Sequence, residues 1–183
     1  MIRQRLLPLS TLLILIAACR PGALPEPERV ENATLGVAIA ALPDDFEVVS
    51  ADGDTIELTA PGPDGAGTAV IAAGPEESSG VNLVEATKSR KAWYESTPGT
   101  TYFGNRELGT PIGTAFTARG SYPTATGVVE ETRVFALHPG ANRLLTITFT
   151  YPTGESDKRV QQLMALLGEI EAFTDSTGSA APQ

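Results

Sequence analysis

The sequence predicts an α+β fold: an antiparallel sheet of about six to eight short strands covered by two helices, around residues 82–97 and 156–173. Three observations predict it. Apolar residues alternate with threonines along Leu145–Tyr151, the two-residue period of a half-buried strand. Short apolar runs are punctuated throughout by Gly (18) and Pro (14), which mark turns between neighbouring strands. Two longer stretches switch to a three-and-four-residue period, and the second shows a full apolar face able to close onto a sheet.

The chain opens with Met1-Ile-Arg-Gln-Arg5, a positive segment, followed by the apolar run Leu6–Ala18 (LLPLSTLLILIAA). A membrane-spanning helix needs about 20 apolar residues; this shorter run, broken by Pro8, Ser10 and Thr11, matches the core of a signal peptide covering residues 1–18. The only cysteine, Cys19, follows directly, and a single thiol supports no internal disulfide. Ile16-Ala17-Ala18-Cys19 resembles the bacterial lipobox, with Ile at the position where Leu is commonest. The resemblance implies cleavage before Cys19, a diacylglycerol thioether on its sulfur and usually a further acyl chain on the new amino terminus. Cysteine suits this chemistry because a thiol(ate) attacks the lipid donor readily near neutral pH. Two or more acyl chains anchor stably where one is marginal. Membrane lipid is thus the first partner the resemblance implies, through acylated Cys19. The location it implies is the bacterial cell envelope, on the outer side of the cytoplasmic membrane or in the outer membrane.

Residues 19–34 read as the lipidated cysteine and a Pro/Glu-rich tether, since RPGALPEPERVENAT has no apolar period. In extended form such a segment reaches about 45 Å. Asn32-Ala33-Thr34 matches a glycosylation sequon, read here as a chance match. A single globular domain follows over residues 35–173, and the small, polar TDSTGSAAPQ of residues 174–183 reads as a disordered tail.

Within the domain, Leu35–Leu42 is an apolar strand ended by Pro43. Phe46–Ser50 and Thr55–Ala60 flank Asp52-Gly53, a strong hairpin signal, and Thr68–Ala73 is a further buried strand. From Asn82, a capping residue, to Pro98-Gly99 the period is helical, with Leu83, Ala86, Trp93 and Tyr94 toward one side. Strands return at Tyr102–Leu108, Ile112–Arg119 and Val128–Leu137, followed by a turn at 138–142 and the strand Asn142–Tyr151. Ser156 or Asp157 caps the last helix, whose apolar face is Val160, Leu163, Met164, Leu167, Ile170 and Phe173.

Gly36–Ile39 leading into Leu42-Pro-Asp-Asp-Phe46, together with Arg143–Tyr151 and the closing helix to Phe173, resembles the PsbP-like family in pattern. That family includes extrinsic photosystem II subunits, a Ran-binding nuclear import factor and many bacterial envelope lipoproteins. The resemblance spans nearly the whole domain and implies a PsbP-like sandwich. It carries no catalytic residue across, because members mostly act by docking to a larger partner.

The formal net charge is −9, and removal of Arg3 and Arg5 with the leader makes the remainder more acidic still. Such a body is repelled by phosphate backbones, which argues against nucleic acid as a partner. His138 is the only histidine, so no zinc-ligand set is available, and no metal or cofactor is expected. Nucleophile elbow, HExxH, P-loop and dinucleotide-loop motifs are all missing from the sequence. Asp44-Asp45 and Asp52-Gly53-Asp54 lack the spacing of a calcium loop and are explained by turn chemistry. Glu76-Glu77 and Glu130-Glu131 read as solvated edges. Trp93 and Tyr94 are the candidate binding residues, because a Trp near a surface often meets a partner. The plainer account is that Trp93 packs the helix onto the sheet. The expected function is that of a membrane-anchored, non-enzymatic binding or accessory module of the envelope with a protein partner. The alternative is a carboxylate-dependent envelope hydrolase, which requires two acidic side chains converging in a pocket.

Overall fold

The computed structural model describes residues 27–63, 65–154 and 156–173. The leader, Cys19, the tether as far as residue 26 and the tail from residue 174 lie outside the described residues. In chain order the elements are β1 (Val30–Asn32), β2 (Val37–Ile39), β3 (Glu47–Ser50), β4 (Thr55–Ala60), β5 (Gly67–Glu76) and α1 (Leu83–Ser96). They continue with β6 (Thr101–Thr110), β7 (Gly113–Thr124), β8 (Gly127–Leu137), β9 (Arg143–Pro152), α2 (Ser156–Gly168) and β10 (Ile170–Ala172). Seven strands form one antiparallel sheet in the order β3-β4-β5-β9-β8-β7-β6, and β1-β2-β10 form a small second sheet. Helix α1 carries the chain from β5 to the far edge at β6, and the meander β6 to β9 then returns to pair with β5.

Strand β9 is the spine. Its register sets Ile147 opposite Ile71 on one side and Val134 on the other, so one face of three strands carries a continuous apolar row. Leu145, Ile147, Phe149 and Tyr151 are all buried, as the alternation predicts. The core formed by this face is closed by Leu163, Leu166 and Leu167 of α2 and by Val37 and Ile39 of the small sheet. The opposite face of the sheet is covered at its β6–β8 end by α1, whose Tyr94 ring lies against Gly120. Asn82 caps α1 by accepting a hydrogen bond from the Glu85 amide at 3.1 Å.

Two readings of element bounds are corrected. The last helix ends at Gly168 rather than Phe173, because Ile170–Ala172 leave it to pair with β2. Glycine is a poor helix former, and the strand that follows gives β2 its second neighbour. The stretch assigned to the tether contributes β1, with Val30 and Asn32 buried. The Asn32 side chain donates to the Thr55 carbonyl at 2.9 Å and accepts from the Leu35 amide at 2.8 Å. With these two short elements the described strands number ten, in two sheets.

The buried face of α2 is also rotated from the one the apolar spacing gives. It includes Arg159 and Gln162, while Met164 is exposed and Val160 only half-buried. Arg159 is 0% exposed and donates to the carbonyls of Ala60 at 2.9 Å and Gly65 at 2.7 Å. It thereby straps the segment after β4 to the helix with charge-assisted hydrogen bonds. Among the described residues no helix is long and apolar enough to cross a membrane.

Candidate functional site

The rotation of α2 leaves a groove of about 490 Å³ between its outer side and the β6–β8 end of the sheet. Register explains why the helix does not seal this end. Arg106 on β6 stands opposite Thr117, and Arg119 on β7 is flanked by Gly104 and Thr132. These positions share the face that carries Val134 and Ala115 further along the strands. The row that is Leu, Ile and Val over the core becomes Arg and Thr here; Thr117 is bonded to the Arg106 backbone and Thr132 to the Tyr151 hydroxyl, which leaves the arginines as the groups open to a partner. The rim is apolar: Phe103 is 50% exposed, and Met164 and Leu108 flank the opening.

Neither groove arginine is fully committed. Nη2 of Arg119 lies 3.9 Å from Oε2 of Glu130, too long for a hydrogen bond, and its buried Nε has no hydrogen-bond partner. Arg106 forms no ion pair among the described residues. Asp157 is the carboxylate among the described lining residues. The groove can therefore accept an anionic group against an apolar neighbour. Its composition gave no sequence motif; the available signal was that Arg106 shares parity with Leu108 on one strand, and Arg119 with Ala115 on the next.

Trp93 and Tyr94 lie on the other face of the sheet. Tyr94 is 2% exposed and donates from its hydroxyl to Oε1 of Glu131 at 3.0 Å. Burial, reinforced by the Glu131 charge, raises the pKa of that phenol. Trp93 is half-buried and meets Tyr94 and Tyr122 edge-on, at centroid distances of 5.0 and 5.7 Å. The Arg90 guanidinium sits 3.8 Å above the Trp93 ring and pairs in bidentate fashion with Glu131, at 2.8 and 2.7 Å. Arg133 approaches the same carboxylate at 3.3 Å. The reading of Glu130-Glu131 as a solvated edge is thus corrected: Glu131 is 1% exposed and is the polar centre of the α1 contact. Successive strand residues face opposite sides, so Glu130 turns toward the groove and Glu131 toward α1. The helical spacing of Arg90, Trp93 and Tyr94 was the signal that a cation lies on the inward face of α1.

His138 follows β8 as the sequence suggests, but it is buried rather than a surface turn residue. Nδ1 accepts from the Gly140 amide at 3.0 Å, so the neutral ring carries its proton on Nε2, which donates to the Leu35 carbonyl at 2.7 Å. Burial, with a further contribution from Arg143, lowers its pKa below the usual imidazole range. Asp44, Asp45, Asp52 and Asp54 are exposed at turns. Among the described residues no group of three or more His, Cys, Asp or Glu is placed to hold a metal ion.

A seven-stranded antiparallel sheet with a helix on each face, flanked by a small sheet that packs beside α2, is a PsbP-like α+β sandwich. The chain is similar in structure to CyanoP, the cyanobacterial PsbP of Synechocystis, with a TM-score of 0.56 and 8% identity over 86% of this chain and 99% of that one. It is similar to LpqN of Mycobacterium tuberculosis, involved in cell envelope biogenesis, at TM-score 0.54 and 10% identity over 75% and 83% of the two chains. A third similar structure is the Ran-binding protein Mog1p of Saccharomyces cerevisiae, at TM-score 0.53 and 11% identity over 79% and 94%. At these identities the likeness is one of fold. No protein-family model matches the chain, and no curated protein matches it in sequence.

Proposed function

We propose that the protein is a lipid-anchored, non-enzymatic accessory module of the bacterial envelope that holds a partner protein in the groove between α2 and β6. The observation that carries this reading is an open groove with an apolar rim and two arginines whose donors are not consumed internally, in a chain of net charge −9. The occurrence of the same fold in LpqN and in a Ran-binding protein supports a docking role, and Ile16–Cys19 with its Pro-rich continuation supports acylation at Cys19. The half-buried Trp93, backed by Tyr94, offers a second and smaller contact on the opposite face. The function requires no cofactor and no nucleic acid.

Two measurements test it. Cells fed a clickable palmitate analogue should label the wild-type protein and leave Cys19→Ser unlabelled; equal labelling of the two would refute the anchor. A photoreactive residue at position 164 should crosslink one defined protein reproducibly in intact cells. A yield no higher than from an exposed turn position such as Asp52 would refute the docking role of the groove.

A further inference from the structure

We infer that the partner enters the groove as an extended acidic segment that adds to the free edge of β6 as a further strand, placing its carboxylates on Arg106 and Arg119. The inference rests on the partner-protein reading above and names the chemistry of that partner.

Strand β6 ends the sheet, and among the described residues its sheet neighbour is β7 alone. An edge strand presents a row of backbone donors and acceptors that a second chain can pair with. The other edge, β3, is four residues long and irregular between Val48 and Ser50. By contrast β6 is ten residues long, and from Gly104 to Thr110 its register with β7 runs without a shift. It carries no proline and no lysine; its bulge lies at Tyr102–Gly104, outside the regular stretch, and its charged residues are Arg106 and Glu107. The groove borders this edge, with Phe103, Arg106 and Leu108 of β6 among its lining, so a strand laid along the edge would project alternate side chains on the side of the sheet that faces α2.

Charge selects the segment. Against a chain of net charge −9, the groove concentrates Arg106 and Arg119, and the buried Nε of Arg119 lacks a hydrogen-bond acceptor. A carboxylate arriving between them would supply acceptors that Glu130, at 3.9 Å, does not. The rim formed by Phe103 and Met164 suits apolar side chains between the acidic ones.

Met164 provides the probe. The chain has two methionines, and the other, Met1, lies in the leader. The full chain, labelled with methyl-¹³C methionine in phosphatidylcholine nanodiscs, is titrated with a capped heptapeptide alternating Val and Glu. The Met164 methyl resonance should shift and saturate. The same peptide with Lys in place of Glu should bind at least tenfold more weakly, and Arg106→Glu should reverse that order. Arg106 is exposed, and an unchanged thermal melting curve for Arg106→Glu checks that the fold is kept. A third peptide, N-methylated at alternate residues with side chains unchanged, should lose at least tenfold.

Equal binding of the N-methylated peptide would overturn strand addition. Equal binding of the Lys peptide, or indifference to Arg106→Glu, would overturn the choice of an acidic segment. A Met164 shift of the same size from phosphatidylglycerol nanodiscs without peptide would assign the groove to a lipid headgroup and overturn the inference as a whole. If no peptide binds while position 164 still crosslinks its protein in cells, this inference fails and the partner reading survives. Failure of that crosslink sinks both.

Discussion

Replacing Glu131 by Ala is the sharpest test of how α1 is held. The carboxylate is 1% exposed and receives Arg90 at 2.8 and 2.7 Å, the Tyr94 hydroxyl at 3.0 Å and Arg133 at 3.3 Å. The Arg90 side chain is only 12% exposed and is stacked on Trp93, so it cannot swing into water without uncovering that ring. Removing the anion alone leaves a nearly buried cation and a buried hydroxyl without acceptors. Breaking a buried pair in this way costs about 3–5 kcal/mol. For a domain of this size each kcal/mol lowers Tm by roughly 2–4 °C, so the expected fall is roughly 6–20 °C.

The mechanism makes a second demand. If the loss comes from stranding charge, then Arg90→Met with Glu131→Leu, which removes both charges and keeps the packing volume, should be far milder than the sum of its parts. Coupling energies for residues in contact run to about 0.5–3 kcal/mol. The assay is thermal and urea unfolding followed by circular dichroism for the wild type, both single variants and the double. Salt up to 1 M should change the differences little, because buried pairs are weakly screened. A fall in Tm below 2 °C for Glu131→Ala, or strict additivity in the double variant, would refute the buried-network account.

Gly120→Ala should destabilise by about 1–3 kcal/mol through overpacking, because an added Cβ would lie 2.5 Å from the Thr101 carbonyl and 2.4 Å from the Tyr94 ring. An unchanged melting curve would refute this close seating of α1 on β7. Stability should also fall as pH drops from 7.5 to 5.5. The unfolded imidazole of His138 takes up a proton near its ordinary value of about 6.5, while the folded ring, with its pKa lowered, resists it. Unfolding free energies measured across that window should lose most of this slope in His138→Gln; an unaltered slope would remove His138 as its source.

What the sequence revealed of this fold depended on how local each signal was. Strand β4 coincides with the expected Thr55–Ala60, and β9 follows its alternation, because each is long enough for a two-residue period to show. Asn82 stands at the cap because capping is a contact across three residues. By contrast β1 and β10 are three residues each, and their pairing sets Val30 and Ile170 on either side of Ile39, a juxtaposition of both ends of the domain. No periodicity resides in three residues, and the spacing of Leu167, Ile170 and Phe173 imitates a continuing helix. Glu131 looked solvated because its partner Arg90 is 41 residues away in the chain. The groove was invisible for a related reason: it exists only where the arginines of two strands meet the turned-out side of α2.

Strand parity is what divides the charged residues into two fates. Arg90, Arg133 and the Tyr94 hydroxyl converge on Glu131 under α1. Arg106 and Arg119 emerge on the other side of the same strands, where Glu130 comes no nearer than 3.9 Å. Adjacent glutamates thus serve opposite faces, one buried and saturated, the other partly covered and remote from its cation. A one-residue slip of β8 would turn Glu131 to the other face and break its contacts with Arg90 and Tyr94. The register that seats Glu131 under α1 is therefore also what sets Arg119 and Glu130 on the groove side.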